Sequence, residues 1–243
     1  MRRAPQLALA FAVLLGGCLA HRTPAWEQTA DPAKLIETAG AELRAGRRTE
    51  GAPGLALLER AVSSAERALF TRNRLFREKV RRHERASWLF EGAEQADLPA
   101  LVIYADALFA WADRQGVLTL LEEQDRIRAA ARRAFTLDRT FAYATPDRVI
   151  AMLACTLPIG SGANFLQALE HFEAAIASAP GYLPTRVEYA LRYAVALRDH
   201  ALYRRLVQEV LDAPIAPPGA PPELIEENRA AQAKARLLPA APY

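Results

Sequence analysis

Reactive and soft side chains are scarce in this chain of 243 residues: it has two cysteines, two methionines and four histidines. A disulfide framework is excluded, because Cys18 sits in an N-terminal targeting pattern and Cys155 is then alone. Cys155 lies in the apolar stretch Val149 to Cys155 and reads as a small buried side chain. None of His21, His83, His171 and His200 has a second ligand at helical metal spacing, and there is no His-Glu-x-x-His. His171, between Glu170 and Glu173, reads as part of an ordinary solvated face. The formal net charge of +3 is too small for a nucleic-acid footprint. Arginine pairs such as Arg81-Arg82 and Arg132-Arg133 read as solvated helix faces. β-branched runs and hairpin signals are missing, which argues against a sheet. Gly160-Ser161-Gly162 lacks the Gly-x-Ser-x-Gly pattern of a nucleophile turn, and no strand precedes it. With no catalytic constellation, the chain is expected to be neither an enzyme nor the holder of a cofactor or metal.

What is present begins at the N-terminus. Met1-Arg2-Arg3 is followed by an apolar run from Leu7 to Leu15 and then Gly16-Gly17-Cys18. A basic head and a short apolar run form a secretory signal, too short to span a bilayer of about 30 Å. Leu15-Gly16-Gly17-Cys18 resembles a lipobox, so residues 1–17 are expected to be cleaved and Cys18 to carry lipid. Each buried methylene contributes about 0.8 kcal/mol, and one chain anchors only marginally, so two or three are needed. Leu19 after the cysteine leans towards the outer membrane. Residues 18–30 are then an anchored linker, and removing Arg2 and Arg3 lowers the formal charge from +3 to +1. No later apolar stretch reaches the length of a membrane span.

Residues 31–243 are rich in Ala, Leu, Glu and Arg, with turns marked by Pro and Gly, which predicts an all-α domain. Asp31-Pro32 and Thr145-Pro146 place a capping residue before a proline at the first helical position, and Asn164 to Gln167 reads as a capping-box variant. Leu35–Gly46 and Leu55–Leu69 form an expected antiparallel pair, and residues 78–96 a further helix. Self-comparison adds a repeat. Ala168, Phe172, Ala175 and Pro180 match the second helix of a tetratricopeptide-like unit, and a shift of 34 residues lands on Leu202, Leu206 and Pro214. Ala131, Ala134 and Leu137 form a similar helix 41 residues upstream, with the turn from Pro158 to Asn164 supplying the seven extra residues. After the proline-rich stretch 214–222, Leu224 to Leu238 closes the array. The fold class expected is an α-solenoid of stacked helix pairs.

Two places hold candidate functional residues. From Leu101 to Trp111 only Asp106 is polar, so this helix is central in the fold or covered by another subunit. Asp106 needs donors there, either a structural pair with an arginine of a neighbouring helix or a role in an apolar pocket. After Pro184, Val187, Leu191, Ala194 and Val195 occupy the concave positions of a tetratricopeptide unit, flanked by Tyr189 and Tyr193. That row is either a binding surface or a groove filled by the closing helix Leu224 to Leu238.

Several stretches resemble a known family: Asp97-Leu-Pro-Ala-Leu101 with Trp111, Arg133 to Asp138, Gln167 to Phe172, Tyr203 to Leu211, and Asn228 to Leu238. Together, over residues 97–238, they are similar to the T component of TRAP-type transporter systems (TatT). The resemblance implies a tetratricopeptide-like periplasmic lipoprotein without enzymatic activity, working beside the periplasmic solute-binding protein of a transporter for small acidic or hydrophobic organic ligands. It also implies a homo-oligomer, a trimer in that family. The reading from another class is a helical-repeat adaptor in outer-membrane assembly or secretion machinery.

Overall fold

The computed structural model describes residues 31–240, so the lipobox, Cys18 and the linker lie outside the described residues. The described chain is helical throughout and contains no strand. Its helices are α1 (Pro32–Arg48), α2 (Gly51–Arg72), α3 (Arg74–Arg81), α4 (Ala86–Leu89), α5 (Leu98–Gln115), α6 (Val117–Asp138), α7 (Phe141–Thr156), α8 (Phe165–Ser178), α9 (Pro184–Glu188), α10 (His200–Asp212) and α11 (Pro222–Leu237). A π-helical turn, Tyr189–Ala194, continues α9.

Successive helices pair, α1 with α2, α5 with α6 and α7 with α8, while α10 packs on the π-helical turn. Each pair also rests on the next, through α2 on α5, α6 on α7 and α8 on α9. Of the residues related by the 34-residue shift, Ala168, Phe172 and Ala175 are fully buried and Leu206 is 2% exposed, whereas Leu202 is half-buried and Pro180 and Pro214 are exposed. The caps follow the sequence in two of three cases. Asp31 accepts from the Ala33 N–H and Asn164 from the Gln167 N–H, both at 3.0 Å.

Thr145 departs from expectation. Ala142, Tyr143 and Ala144 all adopt left-handed backbone conformations (φ 49°, 61° and 57°) before the right-handed part of α7 begins. Such a conformation costs roughly 1–2 kcal/mol per non-glycine residue. The Thr145 hydroxyl therefore does not cap; it donates to the Ala142 carbonyl at 2.6 Å and braces the turn. Stacking of Tyr143 on Tyr182, with centroids 4.9 Å apart, braces it from outside.

The single helix expected over 78–96 is broken into α3, α4 and a 3-10 turn, Gln95–Asp97. The run Arg81-Arg82-His83-Glu84-Arg85 offers no apolar face, and His83 itself turns left-handed (φ 52°). Asp97 then becomes a buried polar centre, accepting from the Asn73 side chain at 2.8 Å and the Glu94 N–H at 3.0 Å.

The all-round apolarity of α5 is consumed within one chain. It packs against α1, α2, α6 and α7, and Leu101, Tyr104, Ala105, Ala107, Phe109 and Ala112 are each at most 1% exposed. Its composition therefore marks a central helix and does not call for a second subunit. At the other end, α11 is bound by side-chain amides. Buried Asn228 donates to the Gly181 and Ile215 carbonyls at 2.8 and 3.0 Å and accepts from the Leu183 N–H. Gln232 donates to the Val210 and Ala213 carbonyls at 3.0 and 2.8 Å.

Candidate functional site: a charged interior

One carboxylate organises the interior. Asp106, on α5 and 3% exposed, accepts from Arg148 of α7 at 3.1 Å and is also bridged by Arg47 of α1. Arg148 is itself 2% exposed, and the same Nη2 reaches the Thr145 hydroxyl at 3.1 Å. Burying a guanidinium is costly unless opposite charge and acceptors surround it. Burial opposes the charge on Arg148, but Tyr182, Asp106 and Glu188 outweigh it, and its pKa stands above the ordinary arginine value. The Tyr182 ring lies 5.0 Å from its guanidinium carbon.

About two turns along the same helices a second group follows. Arg192, in the π-helical turn, donates to Asp113 at 2.8 Å, to Glu188 at 2.6 Å and to the Thr156 hydroxyl at 3.2 Å. Lys234 of α11 reaches Glu188 at 3.5 Å. Burial disfavours the Glu188 charge, yet Arg192, Lys234 and Arg47 overcome it and lower its pKa to about 2. A π-helical turn spends backbone hydrogen bonding to set a side chain where a regular helix would not, and such turns recur at functional sites. Here it aims Arg192 at α5.

Two neighbouring residues of α7 meet different partners. Arg148 faces inward, while Asp147, fully buried, accepts two bonds from Arg139 at 3.1 and 3.0 Å and lies 2.7 Å from Nδ1 of His171. His171 is thus held on α8 by an aspartate and packs edge-on to Phe135. At the mouth of α1, Arg114 caps the helix end, donating to the Gly46 and Thr49 carbonyls at 2.8 and 2.9 Å and to Arg47 at 3.0 Å. The close approach there requires glycine: a Cβ on Gly54 would stand 1.8 Å from the Thr49 carbonyl oxygen.

The other sequence candidates fall into place around this cluster. Trp111 is half-buried, packed beside Leu43 and Leu58, and its buried Nε1 has no hydrogen-bond partner. Val187, 4% exposed, lies under α11 against Ala231 and Ala235, so here the groove is filled by the closing helix. Leu191 is half-buried between that cluster and the main core. Tyr189 and Tyr193 are core side chains, 5.3 Å apart and edge to face. Cys155 is buried, and burial pushes its thiol pKa up to about 12. Sequence reasoning found Asp106 but missed Arg47, Arg148, Glu188 and Arg192. The polar face shared by Arg148 and Thr156, eight residues apart on one helix, was the available signal.

A wider cleft of about 310 Å³ lies outside this cluster, lined by Phe90, Glu91, Asp125, Arg128 and Arg133. Three of its polar side chains are engaged: Arg128 with Asp125 and Gln124, Arg133 with the Ala93 carbonyl, and Glu91 with Lys79. Among the described residues no group of three or more His, Cys, Asp or Glu could hold a metal, and no helix is long and apolar enough to cross a membrane. No curated protein matches the chain. The family model described as TRAP transporter T-component, in contrast, matches residues 30–242, and with all of the described residues inside that match, the protein belongs to this family.

Proposed function

We propose that this protein is a lipid-anchored, non-catalytic scaffold of a TRAP-type transporter. In this reading residues 1–17 are removed, Cys18 carries lipid, and residues 18–30 tether a helical-repeat domain on the periplasmic side, with the outer membrane as its destination. The successive pairing of the helices supports a tetratricopeptide-like solenoid, with α11 as its closing helix. The domain docks the solute-binding component and holds a small organic ligand in its interior. Self-association into a trimer belongs to this proposal by family resemblance alone.

The observation that carries the ligand part is the Arg47–Asp106–Arg148 knot with its neighbours Asp113, Glu188 and Arg192. Side chains of Arg47, Glu188, Asp113 and Arg192 are each 21–26% exposed, so solvent reaches this interior although the residues below it are sealed. Every charge there is tied in an ion pair. That suits holding a molecule and leaves no free nucleophile or base to transform one.

The test of docking is capture. The full chain, in detergent, is mixed with the purified solute-binding protein of a TRAP-type transporter from the same cell. Retention of that protein at stoichiometric amounts supports the reading. If it passes through unbound, the scaffold role is wrong.

A further inference from the structure

Charge is segregated along this chain. Between Arg72 and Trp88 stand seven arginines and lysines against two glutamates, a formal +5, whereas residues 18–243 together carry +1. The remainder of those residues therefore sums to −4. The basic segment covers the end of α2, then α3 and α4. Three of its cations meet a carboxylate: Arg72 pairs with Asp97, Arg74 with Glu78 and Lys79 with Glu91. Arg81, Arg82 and Arg85 are exposed and form no ion pair among the described residues. Apolar side chains stand among these charges. Leu75 and Lys79, one turn apart on α3, lie over Gly92 and Trp88. A Cβ on Gly92 would stand 2.2 Å from Leu75, and Lys79 donates to the Trp88 carbonyl. Leu75 is 45% and Trp88 50% exposed, and the Arg85 guanidinium lies 5.9 Å from the Trp88 ring. An exposed indole and leucine ringed by arginines match the headgroup region of a bilayer, anionic outside and apolar beneath.

The position of this segment in the fold supplies the occupant. Glu42 of α1 accepts from Arg60 and Ser64 of α2, which fixes the antiparallel register of the first pair. Pro32 lies ten residues before Glu42 and Arg72 eight to twelve after its partners, about 15 Å along each helix. The start of α1 therefore stands beside the end of α2, and the linker 18–30 joins the domain at its basic end. Extended, that linker spans at most about 45 Å. The opposite end, where Arg114 meets Thr49 and α6 begins with the exposed Leu118, lies a further length of α1 away, about 25 Å.

We propose that the exposed face of α3 and α4, with Leu75, Arg81, Arg82, Arg85 and Trp88, lies on the anionic phospholipid surface of the membrane that carries the anchor. This rests on the reading above that Cys18 is lipidated, and it orients the domain, basic end down and the Leu118 end away from the bilayer. Each arginine near such a surface favours contact about fivefold, an attraction that salt screens. The tether keeps the face within reach of the surface, so a modest attraction suffices to hold it there.

The experiment reads Trp88 against the bilayer. The full chain carrying Trp26→Phe, which removes the linker indole, is reconstituted into vesicles of brominated phosphatidylcholine with or without phosphatidylglycerol. Subtracting the signal of the same chain with Trp88→Phe removes the contribution of Trp111. Quenching of Trp88 is expected to be about threefold stronger, or more, with phosphatidylglycerol, and to fall back in about 0.5 M NaCl. The combined variant Arg81→Gln, Arg82→Gln and Arg85→Gln should lose that gain with its thermal midpoint unchanged, because these side chains are exposed and unpaired. The proposal is overturned by equal quenching in the two kinds of vesicle, by quenching retained in the combined variant, or by quenching of Leu118→Trp in place of Trp88. Intact mass reads the anchor separately. A lipidated chain with Trp88 unquenched removes only this inference. An unlipidated chain removes the anchor, and the face is then read by co-sedimentation with phosphatidylglycerol vesicles, which the combined variant must lose if the inference holds.

Discussion

Phe172 of α8 lies face to face with Tyr189 of the π-helical turn, ring centroids 4.8 Å apart and planes 13° from parallel. The stack joins one helix pair to the next, and both side chains are buried. Phe172→Ala removes the ring from a fully buried position, at an expected cost of about 3–5 kcal/mol. Urea unfolding of the purified chain measures it. A loss below about 1 kcal/mol would mean that this contact does not join the pairs.

Burial of Phe172 was legible in the sequence, because small-large-small spacing on a helix has few other uses; the stack was not, since the spacing sets Tyr189 beside a concave row. The same periodicity announced the helices α1, α2, α5 to α8, α10 and α11. What it did not announce was set by long-range charge. Arg148 reads as an ordinary polar residue in an apolar helix until Asp106, 42 positions away, is seen to face it. The left-handed residues 142–144 were equally silent, since neither alanine nor tyrosine favours that conformation and only tertiary contacts impose it. The split of residues 78–96 was half visible, as a run of charges without an apolar stripe.

Asp106→Ala leaves Arg47 and Arg148 facing each other without their shared carboxylate. Truncating one partner of a buried pair costs about 3–5 kcal/mol, because the remaining charge stays buried. Replacing both partners, as Asp106→Leu with Arg148→Met, should recover most of that loss. Thermal unfolding of the single and double variants decides the point. A double variant no more stable than Asp106→Ala would show that the knot does more than compensate charge.

Acid should weaken the interior through Glu188. Its pKa is lowered to about 2 in the fold, against an ordinary 4.5, by Arg192, Lys234 and Arg47 acting against burial. A lowered carboxylate pKa stabilises the fold fully above the unfolded value, and that stability drains away as pH falls from 4.5 towards 2. Glu188→Gln is therefore expected to flatten the stability profile within that window. Lys234 is half exposed, so solvent screens its share of the effect. An unchanged acid limb in Glu188→Gln would assign the loss to other carboxylates.

The two cysteines should differ once the chain is unfolded. Cys155, with its thiol pKa pushed up to about 12 by burial, is expected to resist iodoacetamide at pH 8 until the chain is unfolded. Cys18, if lipidated, has no thiol to react in either state. Replacing it with alanine should abolish acyl labelling and free the protein from membranes. Persistent labelling of Cys18→Ala, read by mass spectrometry, would end the lipoprotein assignment.

The row after Pro184 divides at its first two apolar members. Val187 is sealed beneath α11, against Ala231 and Ala235, whereas Leu191 is only half-buried at the edge of the interior. A charge at the first position must be buried without a partner or force α11 away. A charge at the second can turn towards solvent beside Arg192. Val187→Asp is accordingly expected to lower the unfolding midpoint sharply and to expose α11 to limited proteolysis at the proline-rich stretch 214–222. Leu191→Asp should leave the helical spectrum intact and act, if anywhere, on ligand or partner capture. Circular dichroism and proteolysis on the two variants separate these outcomes. A Val187→Asp that keeps its unfolding midpoint although it is cut at 214–222 would show that α11 is a detachable cover, and that the concave row is the binding surface its spacing first suggested.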